Sequence, residues 1–187
     1  MECDMSVRSG ILAVLSLGPA YGSQVHGEVE TRMHRVGSIN VGQIYSTLDR
    51  LQSQGFVINE GMTGDGLPLY ALTARGRAEV ETWLTTADAG SSWSDFVGHV
   101  LLVASLPGAP VDDLVRGYRD AFGEEAVPTA DSTDEPLAAL GEQATRVLSR
   151  SALAWLDDVQ RVLSTSDHAR PLGSMRPRRG RRPRQSS

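Results

Sequence analysis

Gln43, Ser46, Thr47 and Arg50 recur at three- and four-residue steps, and their side chains are of the types that read a nucleic acid. An amide can give and take hydrogen bonds at an adenine edge, and a short hydroxyl reaches a base edge or a phosphate. A guanidinium one turn farther on suits a phosphate. These residues lie between Asn40 and Gly55. Asn is a favoured N-cap, Gln43 stands three residues on as a capping box asks, and glycine accepts the left-handed helix exit. Val41, Ile44, Leu48 and Leu51 recur at helical spacing and should form the buried stripe. Gly42, Gln43, Ser46, Asp49, Arg50 and Ser53 then face outward, with Thr47 at the edge.

Other chemistry finds no constellation. His26 and His34 are eight residues apart on one expected helix, off a shared face, and Cys3 stands alone. That spacing does not make a metal site. Asp112-Asp113 and Asp157-Asp158 are adjacent and so diverge on a helix, which suits solvated faces better than acid/base work. No phosphate loop, nucleophile elbow or HExxH motif occurs. No catalytic residue, metal or cofactor is expected. Trp83, Trp93 and Trp155 fall in or beside helices that should build an interface. They are either packing anchors or the lining of a cavity that stacks a small planar effector.

The elements that must carry these residues read as follows. Val7 to Leu17 is a buried helix stopped at Gly18-Pro19, and Gly22 or Ser23 starts a second. The helix from Asn40 is the third. Phe56–Ile58 and Leu69–Leu72 are strands joined by a Gly-rich turn, and Thr73 caps a helix running to about Thr86. Three helices followed by a hairpin make a winged helix-turn-helix. Beyond the break at Ala87–Ser92 come further helices, with Gly123–Thr133 as a loop. The last, from Pro136 to about Leu163, is long enough to suggest a partner helix. The expected fold is therefore mainly α with a small β-hairpin. Its divisions are a winged-helix domain over 1–86, a helical dimerisation domain over 87–165 and a disordered tail over 166–187.

Charge is unevenly spread. The formal net charge is −5, yet residues 170–187 hold seven Arg and no acid. Residues 1–86 hold six Arg against nine acids. Duplex DNA affinity rests largely on cations at phosphates, so the first domain alone should grip weakly. The tail either supplies attraction without sequence preference or merely aids solubility. All basic residues are Arg, which fits a GC-rich coding sequence. A single cysteine suits a reducing compartment. The longest apolar run is about half of the roughly 20 residues a membrane span needs. The N-terminus lacks the positive region of a signal peptide, and a cytoplasmic location is expected.

Three motifs in order resemble the PadR-like family of bacterial transcriptional regulators. They are Gly18-Pro19-Ala20-Tyr21-Gly22, then Gly42-Gln43-Ile44-Tyr45 with Leu48, Leu51 and Gly55, then Tyr70-Ala71-Leu72-Thr73-Ala74-Arg75-Gly76-Arg77. Ala154-Trp155-Leu156 is similar to the C-terminal helical domain of longer members. The resemblance implies a homodimeric repressor of a near-palindromic operator in double-stranded DNA. The dimer would form through C-terminal helices, and a small molecule would relieve repression. It also implies that Tyr45 lies near the DNA backbone, and Tyr21 of the first motif is grouped with it. Two departures stand out. Ser23 replaces a usual aromatic, and the wing reads Thr63-Gly64-Asp65-Gly66-Leu67-Pro68 where Lys or Arg is usual. A strong wing contact is not expected. The competing reading is a winged-helix protein-interaction module without sequence-specific DNA binding.

Overall fold

Apolar periodicity and well-placed caps divide the chain into seven helices and three short strands among the residues described here. The structure is a computed structural model that describes residues 3–35, 39–125 and 136–173. In order these are α1 (Cys3–Leu15), β1 (Ala20–Tyr21), α2 (Gly22–Arg32), α3 (Val41–Ser53), β2 (Val57–Met62) and β3 (Pro68–Leu72). There follow α4 (Ala74–Trp83), α5 (Trp93–Ala104), α6 (Val111–Glu125) and α7 (Pro136–Leu163). No helix among the described residues is long and apolar enough to cross a membrane.

The winged helix is present, with one strand more than the sequence suggested. β1 pairs antiparallel with β3, Ala20 opposite Tyr70, so the sheet order is β1-β3-β2. Two residues cannot show a strand period, which is why β1 reads as a turn in the sequence. A register shift between Asn59 and Gly61 places a bulge in the wing, where Gly61 takes φ +142°.

Two apolar clusters hold the fold. The first joins Val7, Ile11 and Val14 of α1 to Val25 and Val29 of α2 and to Ile44, Leu48 and Leu51 of α3. The second joins Phe96, Val100 and Val103 of α5 to Leu114 and Tyr118 of α6 and to Ala152 and Leu156 of α7. Leu102 and Leu106 belong to the first cluster although they lie beyond residue 86. The expected division at 86 is therefore not a clean one. α5 turns one face to each cluster because its sequence is apolar nearly all round.

Two further expectations are corrected. α6 continues through Gly123 to Glu125, so the expected loop does not start at Gly123, and the rest of that expectation, over residues 126–133, lies outside the described residues. The disorder expected from residue 166 does not hold for 168–173, which are hydrogen-bonded to α2 and to the end of α5. Buried polar partners on α2 hold this segment, and a reading of tail composition could not see them. Residues 174–187 lie outside the described residues.

Candidate nucleic-acid interface

The outward face of α3 is built by its ends as much as by its middle. Asn40 caps it, its side-chain oxygen accepting from the Gly42 N–H at 2.7 Å. The expected capping box is thus replaced by a bond one residue earlier, which leaves Gln43 on a half-exposed face. At the other end Gly55 takes φ +77°, and the Phe56 N–H reaches back to Leu51 O at 2.9 Å. With Gly55 N–H on Gln52 O, this closes the helix by a Schellman exit.

Between these ends the buried stripe is Ile44, Thr47, Leu48 and Leu51. Thr47 is a correction. It is 2% exposed, and its hydroxyl accepts from the Arg50 guanidinium at 3.1 Å. A small rotation of the helix turns this edge position inward beside Ile44 and Leu51, so it orients Arg50 and reaches no groove. Gly42, Ser46, Asp49 and Arg50 are exposed and Gln43 half-exposed, as the pattern predicts.

Tyr45 is 39% exposed and lies flat over the start of α2. A methyl group added at Gly22 would stand 2.7 Å from its Cζ and 2.9 Å from its hydroxyl oxygen. The glycine of the first motif and the tyrosine of the second are therefore one packing unit. Tyr21 is a further correction. Its hydroxyl is buried without a hydrogen-bond partner among the described residues, and burial raises its pKa. It is not presented to a groove. Tyr70, so far only the first residue of the third motif, lies nearby, Ala20 pairing with it across the sheet. Its pKa is raised by burial first, and then by the negative charge of Asp49 and by Tyr45.

The third motif latches the helix exit. Thr73 caps α4, accepting from Gly76 N–H at 3.0 Å while its own hydroxyl donates to Gly55 O at 2.8 Å. Arg75 donates to Gln54 O at 2.8 Å and lies over the Phe56 ring at 4.2 Å. The cations of the module are partly spent inside it. Arg8 pairs with Glu79, Arg32 with Glu28 and Arg35 with Asp95.

Residues 11–82 match the model of the transcriptional regulator PadR-like family. Solved structures similar to this chain include Bacillus subtilis PadR in complex with operator DNA. It is 18% identical over 83% of this chain and 96% of that one, with a TM-score of 0.39. The same protein in complex with p-coumaric acid is 16% identical over 89% and 99%, with a TM-score of 0.40. No curated protein matches the sequence.

The three tryptophans do not share one cavity. Trp83 lines a cavity of about 380 Å³ with Asp88, His99 and Tyr118, at the seam between the two clusters. Trp93 lines a separate one of about 180 Å³ with Phe122 and Leu148. Trp155 lines a third, about 330 Å³, with Leu101 and Val162. Trp93 and Trp155 instead meet each other at a tilt, and each meets Phe96 edge-on.

His99 is buried, stacked on Trp83 with ring centroids 3.9 Å apart, and its Nδ1 lies 2.9 Å from the Tyr118 hydroxyl. Burial lowers its pKa to about 4, partly opposed by the Trp83 backbone, and burial pushes that of Tyr118 up to about 12. The unfolded chain therefore binds the His99 proton first as pH falls. Its contribution is fully present above about 6.5 and is lost as pH falls toward about 4, by up to about 3 kcal/mol. Urea midpoints measured across this window should fall less for His99→Gln than for the parent. Equal slopes would mean that His99 is already solvated in the native state.

Proposed function

We infer that the chain is a homodimeric repressor that places α3 in the major groove of a near-palindromic operator. The observation that carries this reading is the outward strip Gly42, Gln43, Ser46 and Arg50, on a helix capped at one end and latched at the other. Gln43 and Ser46 are the base-edge candidates, while Arg50 and the Tyr45 hydroxyl are the phosphate candidates. Dimerisation is supported by α7, whose first half exposes Leu137, Leu140, Val147 and Leu148 along a helix of 28 residues. Two copies of α3 would then meet successive major grooves about one helical turn apart. Relief by a small aromatic effector belongs to the same reading. The Trp83 cavity is its place, since ligand there would press on both clusters at once. Trp93 and Trp155 are then packing anchors.

A mobility-shift titration with the DNA upstream of its own coding sequence tests this, with unrelated duplex as competitor. Specific retention and a footprint of two half-sites are expected. Gly22→Ala should displace the Tyr45 ring and weaken operator binding about tenfold, while costing only about 1 kcal/mol of stability because the ring can swing outward. Parent-like affinity would remove Tyr45 from the interface. The interaction-module reading is favoured by one observation, the exposed Asp49 in the centre of the strip. Absence of retention on all genomic fragments would select it.

A further inference from the structure

Asp49 is the one charged side chain on the line of α3 that points straight away from the core. At 3.6 residues per turn, Gly42, Ser46, Asp49 and Ser53 fall within about 60° of one another, opposite Ile44, Leu48 and Leu51. All four are exposed. Gly42 has no side chain and the two serines are short, so nothing on this line stands taller than the carboxylate. The same small residues let the helix backbone approach closely, which a side chain as short as Asp needs in order to touch a base edge. On the flanks, Tyr45 is turned over the start of α2, and Arg50 donates across the helix to Thr47.

The hydrogen-bonding sense of this line is one-sided. A hydroxyl has one proton to give and two lone pairs to accept with. Ser46 gives its proton to Gln43 O at 3.0 Å, and Ser53 gives its own to Arg50 O at 2.8 Å. What both still offer outward is lone pairs. A carboxylate only accepts. Asp49 forms no ion pair and no hydrogen bond among the described residues, so its acceptor sites are not taken within the chain.

A row of acceptors complements donors. In the major groove the donors are the exocyclic amines of cytosine and adenine. Guanine shows O6 and N7 there and thymine shows O4, all lone pairs that repel a carboxylate. Adenine sets its N7 acceptor beside its amine, whereas cytosine offers an amine with no acceptor of its own beside it. Cytosine is therefore the base that a lone carboxylate matches best.

We propose that Asp49 is a specificity-determining residue that accepts a hydrogen bond from the N4 amine of one cytosine in each half-site. This rests on the reading of α3 as the helix that enters the major groove. It also gives the negative charge in the centre of the strip a use. A carboxylate there is repelled by phosphates on every sequence, and the loss is offset only where an amine meets it. Asp49 thus discriminates by weakening the wrong complexes as well as by bonding the right one. Gln43 and Arg50, to one side, are left for a neighbouring base and for phosphate.

The test selects binding sites from a randomised duplex library with the full-length parent, Asp49→Ala and Asp49→Asn. Parent sites should carry a C·G pair at one position of each half-site, preferred at least about tenfold over the other pairs. Asp49→Ala should bring all pairs at that position within about twofold of one another, and should bind an unrelated duplex more tightly than the parent does. Asp49→Asn should move the preference there to A·T, because an amide matches adenine N6 and N7 together. N4-methylcytosine at the same position is the direct probe. It keeps the base pair and its guanine but puts a methyl group where the outward N–H stood. It should weaken the parent about tenfold and leave Asp49→Ala unchanged. If Asp49→Ala kept the parent's preference at every position, or the parent bound the methylated site like the unmodified one, the role of Asp49 would be overturned and α3 would remain the reading helix. A parent that enriched no sequence would overturn both, so the two failures are distinct.

Discussion

Arg32→Ala is expected to cost about 4 kcal/mol of folding stability, within the range seen when one partner of a buried ion pair is removed. The guanidinium has five N–H donors, and five hydrogen bonds are made. They run to Glu28 Oε2 at 2.7 Å, to Ser105 O and Oγ at 2.7 and 3.0 Å, and to the carbonyls of Arg170 and Pro171 at 3.0 and 2.8 Å. Alanine would strand a carboxylate whose side chain is 8% exposed, beside the carbonyls of Arg170 and Pro171, which lose their donor. Ser105 O suffers less, because it still accepts from the Arg170 N–H.

Arg32→Lys should fall between parent and alanine, since an ammonium keeps the charge but cannot serve three directions from one plane. Arg32→Met combined with Glu28→Met should recover part of the loss, because the uncompensated charge goes with its partner. Urea unfolding gives the size of each change. Amide exchange at Arg170 and Gly173 shows whether the segment 168–173 opens at the same time. A loss below about 1 kcal/mol, with those amides still protected, would mean that water replaces the arginine and that the segment is held by Leu172 and by its bonds to Ser105, Glu28 and Gln24.

That network also marks where the sequence stops being legible. The stripe Ile44, Leu48 and Leu51, the Asn40 cap and the Gly55 exit are local features, and local pattern suffices to read them. The winged helix followed from them. Gln24, Glu28 and Arg32 have the spacing of an exposed helix face, and only the return of the chain about 140 residues later makes them interior. Thr47 failed differently. It sits at the edge of the stripe, where a few degrees of rotation decide between groove and core, and its burial follows from how α3 leans on its neighbours. The break at Ala87–Ser92 is real, but it does not separate two cores, because Leu102 and Leu106 of the next segment return to the first. The three tryptophans form one group in the sequence because they fall in or beside helices expected to build an interface. The fold distributes them to three cavities.

The third motif was read as a resemblance, and its physical content is a steric condition that can be tested at Gly76. This residue lies in the first turn of α4, where helix propensity alone would favour alanine over glycine by about 0.5–1 kcal/mol. Sterics oppose that preference. A methyl group there would clash with the backbone carbonyl oxygen of Phe56, standing 3.1 Å from its carbon and 3.0 Å from Leu72 Cδ2. The carbonyl cannot swing aside, since Phe56 O accepts from the Thr73 N–H at 3.0 Å and Phe56 N–H closes the exit of α3. The Phe56 ring is also held between Arg8 and Arg75, at 4.7 and 4.2 Å from its centroid. Gly76→Ala should therefore be destabilising by about 4 kcal/mol, above the usual 1–3 for overpacking because the opposing atom is main chain. Ala78→Gly, at an exposed position of the same helix, should cost only the propensity difference of about 1 kcal/mol. Both exchanges should lower the urea midpoint at fixed pH, the methyl group added at Gly76 by several times more than the one removed at Ala78. If Gly76→Ala were neutral or stabilising, α4 would be free to back away from Phe56, and the latch on the recognition helix would be slack.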